Sequence, residues 1–160
     1  MKNPSTHVEA IRVRPASIDD VSLMARWAEA MAFETENKQL HHDTVHRGIL
    51  TGLKDPERAS YFMAEIAGEP VGTLMVTKEW SDWRCGWWWW IQSVYVPPGH
   101  RRKGVYRALY AYILTLARAD SEVCGLRLYV ERENVSAQRT YEFLGMTDAG
   151  YRMYEVDTRI

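Results

Sequence analysis

Between Pro97 and Arg118 the chain carries Arg101, Arg102, Lys103, Arg107 and Arg118 and no acidic residue. The first three lie after the Pro97-Pro98-Gly99 break. They come just before a run, Lys103 to Ala119, in which Val105, Ala108, Leu109, Tyr112, Ile113 and Leu116 recur at helical spacing. Amides at a helix start have no intrahelical partner, and the helix dipole adds partial positive charge there. Gly104 lets a ligand approach the backbone. The chemistry this combination offers is the holding of a phosphorylated cofactor; the competing reading is a solvated basic turn. Neither the P-loop nor the dinucleotide-binding glycine pattern is present.

A second group follows the run Leu126 to Val130. Asn134 falls at a strand-to-helix corner, where an amide either contacts a ligand or holds the turn. Tyr141 falls in a short helical stretch on the face of Ala137 and Leu144, as a core aromatic or as a phenol aimed at a leaving group.

The elements that must position these groups read as follows. Val8 to Arg14 alternates as a strand that Pro15 ends. Ser17 and Asp20 have the spacing of a capping box, and Val21, Met24, Ala25, Ala28 and Met31 give a helix to about Phe33. Glu34 to His42 is a polar stretch. Asp43 opens a second helix with Val45, Ile49 and Leu53 on one face. Tyr61 to Ala67 and Val71 to Thr77 form a hairpin around Gly68-Glu69-Pro70. Trp80 to Gly86 reads as a second polar linker. Trp87 to Val96 is the most strand-like run and is expected to be buried on both faces. After the basic helix come a strand at Cys124 to Val130, a helix at Ser136 to Leu144 closed by Gly145, and one or two strands between Thr147 and Asp157. The order β-α-α-β-β-β-α-β-α-β predicts an α/β fold: a mixed central sheet of about six to seven strands with helices on both faces.

Residues 1–160 are expected to form a single domain. The net charge is −1, with 46% hydrophobic and 26% charged residues, which disfavours a general nucleic-acid binder. The two cysteines, Cys85 and Cys124, form no metal motif, so no metal is expected. Lone thiols, no apolar signal-like start and no run near 20 apolar residues point to a cytoplasmic chain off the membrane.

The run Val94 to Leu109 resembles the acetyl-CoA signature of the GNAT N-acetyltransferase family, Gln/Arg-x-x-Gly-x-Gly/Ala. Arg101 and Gly104 match, and Tyr106 stands where the family prefers Gly or Ala. The later run Leu126, Leu128, Val130, Asn134, Ala137, Tyr141, Leu144-Gly145-Met146 resembles the same family's fifth strand, cofactor-contacting Asn, general-acid Tyr and following turn. The resemblance implies the acyl-CoA N-acyltransferase fold, with a bulged fourth strand that splays from the fifth. It also implies acetyl-CoA as co-substrate and direct transfer to a primary amine in a ternary complex. Val94, Tyr95 and Val96 would run beside the pantetheine, with an amide near Val94 polarising the thioester carbonyl. Arg101, Arg102, Lys103, Gly104, Val105, Tyr106 and Arg107 would hold the phosphates. Asn134 and Ala137 would contact the cofactor, and Tyr141 would protonate the departing thiolate.

An alkylammonium acceptor must lose a proton before attack. Glu36 and Glu79, in or beside the polar stretches, are the first candidates for the base. Six of the seven tryptophans fall between Trp80 and Trp90. Trp80, Trp83 and Trp90, with Gln92, Glu34 and Asp82, would line an aromatic, acid-rimmed acceptor cleft suited to a cation. Exposed tryptophans would also suit a homodimer interface. The alternative reading on the same fold is a catalytically silent acyl-CoA sensor or interaction module.

Overall fold

The computed structural model describes residues 10–158. They fall into two compact units divided between Leu128 and Tyr129.

The first unit is built on a five-stranded sheet in the order β1-β2-β3-β4-β5: Ile11–Pro15, Ser60–Ile66, Glu69–Ser81, Gly86–Tyr95 and Val123–Arg127. Neighbours are antiparallel except β4 and β5, which are parallel and joined through α3 (Val105–Ala119). α1 (Val21–Glu36) and α2 (His42–Leu53) connect β1 to β2. The sheet carries helices on both faces. Met63 belongs to the buried cluster of Val21, Met24, Ala25 and Ile49 from α1 and α2. Its neighbour Phe62 points the other way, with its ring 5.7 Å from that of Tyr112 on α3. On that side β3 and α3 nearly touch: a Cβ on Gly72 would stand 2.7 Å from Val105 Cγ1.

Local chemistry explains most boundaries. The β2–β3 hairpin turns on Ala67 and Gly68, both left-handed at φ 50° and 84°, the geometry that matches strand twist. α1 runs three residues beyond Phe33 and stops where Asn37 adopts φ 51° and its N–H reaches Phe33 O. The first strand begins at Ile11; Val8, placed in it from the sequence, lies outside the described residues.

Three expectations are corrected. Among the described residues the sheet has five strands, not six to seven, and residues 147–158 contain no strand or helix. Trp80 to Gly86 is not a linker. β3 runs on to Ser81, β4 starts at Gly86, and Asp82 to Cys85 is a tight turn. The rings of Trp80 and Trp87 meet edge-to-face at 4.9 Å across the two strands, a pairing that favours extension over loop. Finally, Trp87 to Trp90 are only half-buried. The guanidiniums of Arg127 and Arg84 lie over the Trp88 ring at 4.1 and 5.0 Å.

Gly125 of β5 makes room for that ring, since a Cβ there would fall 2.4 Å from Trp88 Cζ3. Gly125→Ala must displace a ring fixed from above by Arg127. A loss of about 1–3 kcal/mol is expected, read from denaturant melts together with a shift in tryptophan emission.

The second unit contains α4, Val135–Phe143. Asn134 caps it, accepting the Ala137 N–H at 3.1 Å. Gly145, at φ 87°, ends it, with Gly145 N–H on Glu142 O and Met146 N–H on Tyr141 O. The glycine stop was expected from the sequence; the structure adds its two closing hydrogen bonds.

Candidate active site

β4 is irregular where the chemistry was expected. Gln92 pairs with Met75 and Tyr95 with Thr73, so three steps on β4 match two on β3. The extra residue is absorbed at Ser93, which adopts φ 49°. This is a β-bulge, which re-aims a strand locally. On its other side β4 pairs with β5 only from Trp87 to Trp90, so from Ile91 onward that edge has no β5 partner. Trp87 N–H points to the β5 side, where it meets Glu122 O. Following the alternation of the strand through the bulge puts Val94 and Val96 on the open edge, while Tyr95 faces β3.

The strand leads into the basic loop. Pro98–His100 form a single 3-10 turn, and Arg102 and Gly104 are left-handed at φ 61° and 82° on either side of Lys103. Alternation of this kind turns successive N–H groups into one concavity, a nest for an anion. Gly104 is the N-cap of α3, so the amides of Gly104, Val105, Tyr106 and Arg107 are the four without intrahelical partners. Arg102, Lys103 and Arg107 are exposed, whereas the Val105 side chain is buried, leaving only its backbone for a ligand. The ring of Tyr106 lies 6.3 Å from that of Tyr110, one turn along the helix.

Arg101 is engaged elsewhere. Its Nε donates to Val96 O at 2.8 Å, its Nη2 to Glu34 Oε2 at 2.5 Å, and its Cζ lies 5.8 Å from the centre of the Tyr95 ring. Tyr95 OH donates to the other Glu34 oxygen at 2.8 Å. The end of α1, the end of β4 and the basic loop are therefore tied at one carboxylate. Arg101 and then Tyr95 hold the Glu34 carboxyl below its ordinary pKa; burial, with Glu34 adding to it, pushes the Tyr95 phenol up. Glu34, expected to face the acceptor, is the hub of this tether. Sequence reading missed the tether because its partners are 61 and 67 positions apart.

The expected aromatic cleft is divided by the sheet. Trp90 stands opposite Thr77, and Trp88 opposite Glu79, on the α1–α2 face. Trp80, one residue on from Glu79, points to the other face. Trp83 is 88% exposed in the turn, beside Asp82, whose Oδ1 accepts the Trp83 N–H. Glu79 takes Trp90 Nε1 at 2.5 Å on one oxygen and Arg127 Nη1 at 3.0 Å on the other. Glu36 is the exposed last residue of α1. Gln92 is half-buried immediately before the bulge.

The cavity that does form lies between α1, α2 and this face of the sheet. It measures about 250 Å³ and its wall includes Ser93, the bulge residue, and Tyr95. No acid or base lines it. In the second unit, Tyr141 is half-buried and burial pushes its phenol up. No group of three His, Cys, Asp or Glu side chains able to hold a metal occurs among the described residues.

A sheet of this order, with a bulged fourth strand and a glycine-gated helix start behind it, defines an acyltransferase-type α/β fold. The model of the GNAT acetyltransferase family matches residues 21–146. A possible acetyltransferase from Clostridium difficile 630 is 41% identical, with a TM-score of 0.86 over 94% of this chain and 99% of that one. The chain belongs to the GNAT acetyltransferase family. More distant structures share the fold. One is a predicted acetyltransferase from Clostridium acetobutylicum solved with acetyl-CoA, 14% identical, TM-score 0.74, over 92% of this chain and 96% of that one. Another is glucosamine-6-phosphate N-acetyltransferase from Arabidopsis thaliana, 18% identical, TM-score 0.70, over 92% and 99%. No curated protein sequence matches the chain.

Proposed function

We propose that this acetyltransferase uses acetyl-CoA and transfers the acetyl group directly to a primary amine in a ternary complex. The observation that carries this reading is the continuity of the Ser93 bulge, the open β4 edge and the nest of amides at the start of α3. Acetyl-CoA, when bound, supplies an activated thioester. Val94 and Val96 offer backbone groups to its pantetheine arm, as a neighbouring strand would. The amide beside the bulge, near Val94, is fixed in direction before reaction and so stabilises charge developing on the thioester oxygen. Amides from Arg102 to Arg107 meet the pyrophosphate, with Arg102, Lys103 and Arg107 side chains neutralising phosphate charge. Arg101 supports the loop through Val96 and Glu34. Asn134 holds the start of α4, and Tyr141 gives its proton to the departing sulfur.

Glu36 stands ahead of Glu79 as the base, because an arginine and an indole N–H already occupy both Glu79 oxygens. In pH–rate profiles, Glu36→Gln is expected to lower kcat/KM about 100-fold and remove the acidic limb, while Glu79→Gln leaves that limb in place. The reverse pattern would reassign the role.

Acetyl-CoA at about 100 times its Kd should add about 2.7 kcal/mol of stability, a Tm rise of several degrees for a chain this size. Dephospho-CoA should give less, because it lacks a phosphate for the basic side chains. No shift at millimolar acetyl-CoA would sink the reading. A shift without thiol release for any amine would favour the silent acyl-CoA binder.

A further inference from the structure

The wall of the 250 Å³ cavity is made by Met24, Met31 and Met75 with Ala28, Val45 and Ile49. Two of its hydroxyls are already committed, Thr73 Oγ1 donating to Phe62 O at 2.9 Å and Tyr95 OH to Glu34, which leaves the hydroxyls of Tyr61 and Ser93 as its polar groups. A charged or polyhydroxylated group entering here would shed its hydration and find only these two hydroxyls in return. Thioether side chains, by contrast, adapt to apolar ligands of varied shape. For size, an apolar cavity of about 150 Å³ already takes up benzene, so this one has room for a body of roughly six to eight carbons. Ser93 forms part of the wall, so a body seated in the cavity ends beside the bulge.

Gly48 adds an independent observation. It sits inside α2 with no left-handed φ, and a Cβ built on it meets no heavy atom within 4 Å. Neither backbone conformation nor packing calls for glycine, although glycine is the poorest helix former after proline. Gly52, one turn on, differs: its Cβ would stand 2.9 Å from Tyr61 Oη. Gly48 is exposed and borders the cavity, so it stands at the cavity's rim, where a larger side chain would narrow the entrance.

We propose that the acceptor is a primary amine on an apolar chain, and that Gly48 sets the length of chain admitted. The second ammonium of a polyamine, or the several hydroxyls of an aminosugar, would find too few partners in this cavity to replace their hydration. The acetylation of such an amine rests on the function proposed above; its binding does not.

The test pairs n-hexylamine with 1,6-diaminohexane, equal in length and differing by one ammonium, on the wild type and Gly48→Leu. Melting without acetyl-CoA reads binding, and thiol release reads kcat/KM. Hexylamine should raise the Tm of the wild type and the diamine should not. Hexylamine should be acetylated at least 30-fold better than the diamine, with each methylene from propylamine upward contributing about fourfold. Gly48→Leu should keep the Tm rise with acetyl-CoA and lose the Tm rise with hexylamine. Equal or better use of the diamine, or hexylamine binding undisturbed by Gly48→Leu, would overturn the proposal. Failure of the wild type to respond to acetyl-CoA would instead count against the proposed function, and the hexylamine melts would still decide the question of the cavity.

Discussion

Tyr141→Phe should lower kcat by about 100-fold while leaving the KM for acetyl-CoA within about twofold. The size follows from the role. A positioned general acid contributes roughly 10²–10⁴-fold, and a thiolate is a good leaving group with an ordinary pKa near 8.5, so the low end applies. Burial raises the Tyr141 phenol above its usual value near 10. The neutral, proton-bearing form is the active one, and raising the pKa extends the range in which it persists. The wild-type rate should therefore hold through pH 9 and fall only above 10; the variant should lose that alkaline limb along with the rate. Single-turnover thiol release across pH 7 to 10.5 measures both. A substrate whose thiol leaves more easily should recover part of the loss, which a merely structural defect would not permit. Unchanged kcat, or a loss confined to KM, would remove Tyr141 from the chemistry.

How much of this was legible in the sequence depends on the range of the interactions involved. The helices were legible because a core face is written locally: of the expected face of α1, Val21, Met24 and Ala25 are buried and Ala28 and Met31 partly so, with Ala32 buried beside them. The same holds for the Gly145 stop of α4, where one residue type solves one backbone conformation, whereas α3 starts at Val105 behind a left-handed Gly104, two residues later than expected. The basic loop was legible for the same reason, down to the placement of Arg102 and Lys103 at the helix start. The strand ends were not. Lys78, Glu79 and Trp80 are exposed, so their polarity reads as loop; what keeps them in β3 is the register with Trp89, Trp88 and Trp87 across the hairpin. The C-terminal strands expected between Thr147 and Asp157 failed for a related reason. Alternation describes a strand only where a neighbour pairs with it, and Tyr151, Met153, Tyr154 and Val156 remain exposed.

The site was legible in part for the same reason. The family motif points to the fourth strand, but no residue type at Ser93 announces a positive φ. The resemblance implies a bulge in the fourth strand, and the pairing of β3 with β4 places it at Ser93. A cluster of six tryptophans suggested one aromatic cleft, yet a period of two sends Trp80 and Trp90 to opposite faces. The cavity is lined instead by methionines scattered over α1 and β3. Gly48 was the available clue, a glycine inside a helical run with no turn to make.

Asp20→Ala should cost about 2–4 kcal/mol, the largest stability loss expected from a single polar side chain here. Asp20 is 7% exposed in the 3-10 turn that opens α1. Both its oxygens take Arg14 of β1, Nη1 at 2.7 Å and Nη2 at 2.9 Å, and the Ser17 N–H reaches it at 2.7 Å. Arg14 also donates through Nε to Glu65 of β2 at 2.6 Å. One fork-shaped cation thus joins β1, β2 and the entry to α1. Removing one partner of a buried pair costs about 3–5 kcal/mol because the other charge is stranded. Arg14 is about a quarter exposed and keeps Glu65, which lowers the expected figure. Against a total of about 5–15 kcal/mol, that is a Tm drop of roughly 5–15 °C. The pH dependence has a definite sign. Arg14 holds the Asp20 carboxyl below its ordinary pKa, so the unfolded chain takes up this proton first. The contribution is complete above about pH 5 and drains away as pH falls below 4 toward the folded value. Asp20→Asn abolishes that titration. Urea melts of the wild type and Asp20→Asn between pH 7 and 3 should therefore converge as the pH falls. A constant gap over the whole range would mean that Asp20 stabilises the fold by shape and hydrogen bonding alone, and that its charge contributes nothing.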